Sequence, residues 1–298
     1  MARITANGVD IEYESFGSEE APAVLLIVGL GQQLTQLPES LCQMLVAQGY
    51  RVVRFDNRDA GLSTHFNAAG LPNVKRVMLA KTFGLRPKTP YTLLDMAADA
   101  AALLDGLGIA AAHLAGASMG GMIAQLAAAH YPDKVLSLTS IMSTTGNRRV
   151  GRPSPKAAKA LLLPSAAPGD IHSIVERGMK IRKVFNGSGY PLDEEQLRRS
   201  LAGAAQRAYN PAGVARQLAA SLACGDRRNL LRKLKIPATV VHGEEDPLIP
   251  LECGLETAYN IPGARLVTIP GLGHEFPEAA MPIFADAIHS AAQRATPP

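Results

Sequence analysis

The stretch that decides the fold is His113-Leu114-Ala115-Gly116-Ala117-Ser118-Met119-Gly120, a Gly-x-Ser-x-Gly pattern between two predicted elements. Residues 112–115 predict a short buried strand, and residues 118–130 predict a helix rich in small side chains. A serine between such elements stands on a sharp turn with its hydroxyl exposed, and flanking glycines let strand and helix approach closely. The N-terminus of the helix directs free backbone N–H groups to the same point. Ser118 is therefore the candidate nucleophile.

Strands and helices alternate on both sides of this turn. An Asn7-Gly8 turn predicts a hairpin of two short strands near residues 2–6 and 9–15. Further strands are predicted over residues 23–28, 51–55 and 135–141, and further helices over 38–48 and 93–107. The run 23–28 is continuously apolar, as expected of a strand buried on both faces. The alternation predicts an α/β fold with a mostly parallel, doubly wound sheet.

A helical insert interrupts this alternation. No strand pattern occurs between about Gly146 and Leu234, where helices are predicted over residues 154–163, 170–185, 193–209 and 212–223. Strands return at 238–242 and 264–269, and a closing helix is predicted over 282–294. We therefore expect a core from residues 1–145 and 235–298, with a helical cap formed by residues 146–234.

A serine hydroxyl is a poor nucleophile without a base. For this strand–turn–helix pattern the partners follow in the order Ser, then Asp or Glu, then His. Three histidines come after the insert, His242, His274 and His289. His274 lies in a glycine-rich loop directly after a strand, at the same sheet edge as Ser118, and is the candidate base. We expect His242 to be structural and His289 to lie on the surface of the closing helix.

The remaining parts of such a site are an acid and two backbone donors. Asp246 lies in the loop after strand 238–242, where Glu244 and Glu245 are competing carboxylates. One N–H donor for an oxyanion is expected from Met119, which follows the nucleophile. The second is expected from the loop after strand 23–28, with Leu30 favoured and Gly31 or Gln32 left as alternatives.

Together these motifs resemble the α/β-hydrolase fold family over essentially the whole chain. The resemblance also rests on Arg54-Phe55-Asp56-Asn57-Arg58-Asp59-Ala60-Gly61-Leu62-Ser63, which is similar to an Asp-x-Arg-x-x-Gly-x-Ser turn of that family. It implies that Asp56, Arg58 and Ser63 support the oxyanion loop rather than react. It also selects Asp246 as the acid, because Asp246 stands one residue before a proline, as the family pattern does.

Within the family, the sequence is most similar to the serine esterase branch, which includes aclacinomycin methylesterase-like proteins and carboxylesterases. This resemblance implies cleavage of a small-molecule ester through an acyl-enzyme, without a metal or organic cofactor. One departure is Val28-Gly29, which stands where many relatives carry His-Gly. Lactones, thioesters, C–C bonds and cofactor-free perhydrolysis remain alternatives with the same residues, and a ligand-binding receptor on a hydrolase scaffold is less favoured.

Composition places the protein among ordinary globular chains. Of 298 residues, 47% are hydrophobic and 19% charged, which excludes a disordered chain. Three cysteines are too few and too scattered for a disulfide framework or a CxxC metal site. Neither a signal peptide nor an apolar run of membrane-spanning length is found, so we expect a cytoplasmic protein without a membrane span. A homo-oligomer is left open.

The net charge of +4 is unevenly distributed. Residues 147–235 hold 18 Lys and Arg against 6 Asp and Glu, whereas the rest of the chain holds 12 against 20. The basic charge therefore belongs to the cap, and since no helix-turn-helix, RNP or zinc motif occurs, we expect no nucleic-acid partner. We expect a solvated basic outer face on the cap. The alternative is a field that attracts anionic substrates.

Overall fold

The computed structural model describes residues 1–83, 85 and 87–295, among which eight strands form one sheet. The sheet order is β1-β2-β4-β3-β5-β6-β7-β8. In chain order the strands are β1 (Ala2–Ala6), β2 (Val9–Phe16), β3 (Ala23–Ile27), β4 (Arg51–Phe55), β5 (Ala112–Ala117), β6 (Val135–Ile141), β7 (Ala238–Gly243) and β8 (Arg265–Ile269). β1 and β2 pair antiparallel, as do β2 and β4, and every other pairing is parallel. The predicted fold class is confirmed.

Helices cover both faces of the sheet. They are α1 (Glu39–Ala47), α2 (Val74–Thr82), α3 (Leu93–Gly106), α4 (Met119–His130), α5 (Pro155–Leu161), α6 (Ile171–Phe185), α7 (Glu194–Arg207), α8 (Pro211–Cys224), α9 (Arg228–Leu231), α10 (Leu251–Asn260) and α11 (Met281–Ala292). Successive side chains of β3 point to opposite faces: Leu25 and Ile27 pack with α3 and α4, whereas Val24 and Leu26 pack with α1 and α11. This alternation explains why β3 is apolar at every position.

Helices α5 to α9 lie between β6 and β7, where the sequence predicts the cap. Four of them, α5 to α8, begin close to the predicted residues, because each has a capping side chain that accepts a hydrogen bond from the backbone N–H three residues on. These caps are Ser154, Asp170, Asp193 and Asn210. Whether residues 146–234 form a unit separate from the core stays a prediction, and residues 296–298 of the second core segment lie outside the described residues.

Two longer helices were not predicted. α2 mixes exposed apolar residues such as Met78 and Leu79 with Lys75 and Arg76, so its pattern has no clear buried face. α10 contains Gly254, a poor helix former. A Cβ at Gly254 would lie 2.5 Å from His242 Nδ1, so the close packing of α10 against β7 requires a glycine here although glycine disfavours a helix. No helix within the described ranges is long and apolar enough to cross a membrane.

Part of the cap's positive charge is buried against the acidic core. Arg216 of α8 forms a bidentate pair with Asp59, with both N–O distances 2.7 Å and neither side chain more than 1% exposed. Arg207 of α7 lies 2.7 Å from Oδ2 of the buried Asp56. Burial would raise the pKa of Asp59, yet hydrogen bonds, led by that from Arg216, hold it below its ordinary value. Core carboxylates therefore neutralise these two arginines, which do not belong to the solvated outer face expected from the sequence.

Candidate active site

Ser118 stands on a strained turn between β5 and α4. Its backbone has φ 54° and ψ −118°, in the positive-φ region that side chains disfavour. A Cβ on Gly120 would lie 2.1 Å from the Ile27 carbonyl oxygen, and one on Gly116 would lie 2.1 Å from that of Gly120. The glycines therefore permit the close approach predicted from the sequence. The Ser143 hydroxyl donates to the Ser118 carbonyl at 2.8 Å and helps to hold the turn.

Asp246 and His274 form a hydrogen-bonded pair. His274 Nδ1 lies 2.6 Å from Asp246 Oδ2, and the other carboxylate oxygen accepts the backbone N–H groups of Leu248 and Ile249 at 2.9 and 2.8 Å. The carboxylate is thus fixed in the orientation that keeps the His274 proton on Nδ1 and leaves Nε2 to accept a proton. Of the competing acids, Glu245 accepts two hydrogen bonds from Ser188, away from the histidine.

Helix α6 also contacts His274. The His274 backbone N–H donates to the Phe185 carbonyl at 2.8 Å, and the two rings meet edge to face at 5.9 Å. Phe185 is the last residue of α6, so the histidine is held between a core loop and a cap helix. Ser118 and His274 line one cavity.

The other two late histidines lie elsewhere. His242 is fully buried, and burial lowers its pKa, so it is neutral. Its Nε2 donates to the Ile249 carbonyl at 2.7 Å and thereby supports the Asp246 loop, in agreement with the expected structural role. His289 is half-buried, with Nδ1 2.9 Å from the Tyr50 hydroxyl, so its predicted surface position is only partly right.

The loop after β3 narrows the choice of backbone donors. Gly31 N–H donates to Gln217 Oε1 at 2.8 Å, and Gln32 N–H donates to a carbonyl three residues earlier at 3.2 Å. Among the described residues, neither Leu30 N–H nor Met119 N–H has an acceptor, and both residues line the cavity beside Ser118. This geometry agrees with Leu30 and Met119 as the oxyanion donors. Their catalytic role stays a prediction.

Gln217 is a site residue that the sequence analysis missed. It projects from cap helix α8, is fully buried, and donates through Nε2 to the Arg58 carbonyl at 2.8 Å while Oε1 accepts from Gly31. Val214, one turn earlier, packs where a Cβ of Gly31 would lie. Gln217 is 186 residues from Gly31 in the chain, so no local pattern could have revealed the contact.

The stretch 54–63 contacts the segment that follows the loop after β3. Asp56 accepts hydrogen bonds from the backbone N–H groups of Leu34 at 2.7 Å and Leu62 at 2.9 Å, while the Ser63 hydroxyl donates to the Asp56 carbonyl. Burial raises the pKa of Asp56, and these donors together with Arg207 oppose that shift. Arg58 forms a bidentate pair with Asp99 at 2.6 Å. These contacts agree with structural roles for Asp56, Arg58 and Ser63, and their support of the oxyanion loop stays a prediction.

The cavity has a volume of about 580 Å³, the size of a small-molecule site. Loops that follow the strands line one part of it, and helices α6 and α8 line much of the rest. Its apolar walls include Met122, Ile181, Phe185, Val214, Leu218 and Leu248. In the part of the chain that the structure describes, no three His, Cys, Asp or Glu side chains come together as a metal site requires.

Known proteins resemble this chain in sequence and in fold. A rhodomycin D methylesterase from Streptomyces peucetius is 29% identical over 98% of both chains. A 3-oxoadipate enol-lactonase from Acinetobacter baylyi is 25% identical over 82% of this chain and 79% of its own. The solved structure of a mutant meta-cleavage product hydrolase from Pseudomonas fluorescens IP01, complexed with acetates, superposes with a TM-score of 0.74 at 18% identity, covering 98% of this chain and 97% of the other. The family model of the alpha/beta hydrolase fold matches residues 22–278. Both the sheet topology and this match therefore assign the chain to the alpha/beta hydrolase fold family.

Proposed function

We propose that this protein is a serine hydrolase that cleaves carboxylic esters through Ser118, His274 and Asp246. The observation that carries the proposal is the 2.6 Å Asp246–His274 hydrogen bond beside a cavity that Ser118 enters from a strained turn. A buried acid that orients a histidine towards a serine is the arrangement that activates a hydroxyl for acyl transfer.

The reaction proceeds in two halves. Ser118 Oγ attacks the ester carbonyl as His274 Nε2 takes its proton, and the N–H groups of Leu30 and Met119 bind the oxyanion. The tetrahedral intermediate collapses when His274 returns the proton to the leaving alkoxide, which leaves an acyl-Ser118 ester. Water then attacks this ester with the same base, releasing the acid and restoring the serine. Every step uses protein groups and water alone.

The relatives support an ester as the substrate class. The methylesterase aligns with this chain over nearly its whole length, which favours ester cleavage over the other reactions available to the triad. A lactone is the second candidate, because the enol-lactonase relative covers 82% of the chain. Lactone opening needs the same attack and the same oxyanion donors. We also propose that residues 146–234 act as a cap, since side chains of α6 and α8 form walls of the cavity.

The test compares two serine variants. Ser118→Ala should abolish turnover of p-nitrophenyl butyrate and of methyl esters, and should no longer react with a fluorophosphonate. Ser200→Ala, an exposed cap serine, is the matched control and should behave as wild type. Wild-type activity in Ser118→Ala, with the fold verified by circular dichroism, would refute the assignment. A panel of esters, lactones and thioesters on the wild type then ranks the alternatives.

A further inference from the structure

The walls of the cavity carry positive charge without negative charge. Arg148, Arg177, Arg182 and Arg227 line it, and no Asp or Glu is among the lining residues that the structure describes. An apolar pocket with a one-signed field selects ligands by charge because it lacks the screening of bulk water.

Arg182 and Arg227 differ in the partners that face their charge. Arg182 pairs with Glu275 at 2.9 Å. Arg227 is buried, yet its hydrogen bonds go to neutral acceptors, which include Gln125 Oε1 at 3.0 Å and the Gly225 carbonyl at 3.0 Å. Arg227 therefore makes no hydrogen bond to a carboxylate within the described residues, and Asp226 is the acidic group that its charge reaches.

Arg177 is the member placed to bind a ligand directly. Its Nε and Nη2 donate to the carbonyls of Leu163 and Pro164 at 2.9–3.3 Å, which fixes the plane of the guanidinium. Nη1 makes no hydrogen bond within the described residues, and the side chain is half-buried at the cavity wall. The neighbouring Glu176 pairs with Arg198 instead. Arg177 therefore offers a pre-oriented cationic donor, the kind of group that binds carboxylates well.

The spacing along α6 sets the scale of the separation between Arg177 and Phe185, the residue that packs on His274. Phe185 packs on His274, and Arg177 lies eight residues earlier on the same helix, which is about 12 Å at 1.5 Å per residue. His274 also hands its proton to the leaving alkoxide in the proposed reaction. Because the leaving alkoxide must face His274 to take this proton, the inference assigns the alcohol part of the substrate to the side of α6.

We propose that the preferred esters carry a second group, a carboxylate on the alcohol part about 10 Å from the scissile carbonyl, and that Arg177 binds it. The inference rests on the proposed function and adds a substrate class to it. Arg227 contributes through its field rather than by contact.

The experiment uses charged and neutral esters of equal shape. The wild-type protein is assayed with 8-acetoxyoctanoate, whose extended chain matches the distance, with the neutral 8-acetoxyoctanamide and with the short acetoxyacetate. We expect kcat/KM to favour the octanoate over its amide by about tenfold or more, as a charged hydrogen bond predicts, with little preference for acetoxyacetate. Monomethyl suberate against its monoamide tests the acyl side in the same way.

Variants assign the preference to Arg177. Arg177→Met should remove the preference in kcat/KM for the acid over the amide, and Arg177→Lys should keep part of that preference. Arg199→Met, which removes an equal charge from an exposed cap position paired with Glu195, should keep the preference of the wild type. If Arg177→Met does not fold, Arg177→Gln replaces it.

Two failures are distinguishable. Normal turnover of p-nitrophenyl acetate with no acid preference among the acetoxy esters overturns this inference, whatever the suberate pair shows, and leaves the proposed hydrolase intact. An acid preference that Arg199→Met reduces as much as Arg177→Met also overturns it, since the effect would then come from net charge alone. No turnover and no fluorophosphonate labelling in the wild type refutes the proposed function itself.

Discussion

Replacing Gln217 by Met tests whether the cap positions the oxyanion loop. Met has nearly the length of Gln but cannot replace its two hydrogen bonds, each 2.8 Å long, to Gly31 N–H and to the Arg58 carbonyl. The change leaves Ser118, His274 and Asp246 untouched, so an effect on the chemical step must travel through the loop that carries Leu30.

The structure sets the size of both expected effects. The Arg58 carbonyl is left buried and unpaired, whereas the partly exposed Gly31 N–H gains access to cavity water, so the variant should lose about 2–4 kcal/mol of unfolding free energy. Such a loss leaves a domain of ordinary stability folded at 25 °C. Because a shift of about 1 Å costs up to about 100-fold in rate, kcat should fall about 10- to 100-fold.

The assay separates positioning from stability. Turnover of p-nitrophenyl butyrate is measured well below the melting temperature, together with urea unfolding and binding of a trifluoromethyl ketone, whose serine adduct needs the oxyanion donors. We expect kcat and ketone affinity to fall while KM changes little. Gln196→Met, at an exposed position of α7, is the control and should change stability by less than about 0.5 kcal/mol. A variant with the predicted loss of stability but wild-type kcat and ketone affinity would refute the reasoning, because Gln217 would then be purely structural.

Three further predictions concern the acid, the cap and pH. Asp246→Asn should lower kcat roughly 10³- to 10⁴-fold by changing the tautomer of the histidine, whereas Glu245→Gln should lower it little; the reverse order in steady-state assays would move the acid role. Arg216→Met leaves Asp59 buried without its ion-pair partner and should cost about 3–5 kcal/mol in urea unfolding, with Asp59→Asn in the same chain recovering part of the loss. Burial lowers the pKa of His113 to about 4 in the folded protein. As pH falls below about 6.5, the ordinary pKa of histidine, this side chain therefore binds a proton in the unfolded chain but not in the folded one. The free energy of unfolding should fall by up to about 3 kcal/mol as pH drops from 6.5 towards 4. His113→Gln should flatten this dependence, and an equal slope in the variant would contradict the assignment.

The local elements of the fold were predictable for physical reasons that act over a few residues. β3 is apolar at every position because both of its faces are covered, and Ser154 and Asp170 mark helix starts because their side chains accept the first free N–H groups. α2 and α10 escaped prediction because packing against distant elements, rather than their own periodicity, decides them. The close approach of Gly254 to His242 is one such contact.

Part of the candidate site was predictable from local sequence features as well. Ser118 is marked by a turn whose strain demands glycines at fixed offsets, and Asp246 and His274 follow strands that end at one sheet edge. These features depend on chain order and on the parallel sheet. The sequence by itself therefore determined the family, the alternation of strands and helices and the residues predicted to react.

Only the tertiary structure decided how the cap is used. The sequence shows a surplus of arginines between residues 147 and 235, but not which of them face carboxylates, solvent or the cavity. Folding buries Arg216 against Asp59, brings Gln217 to a loop 186 residues away and leaves Arg177 at the cavity wall. The reason is that a helix side chain finds its electrostatic partner through the packing of whole elements, and a local pattern specifies only the helix.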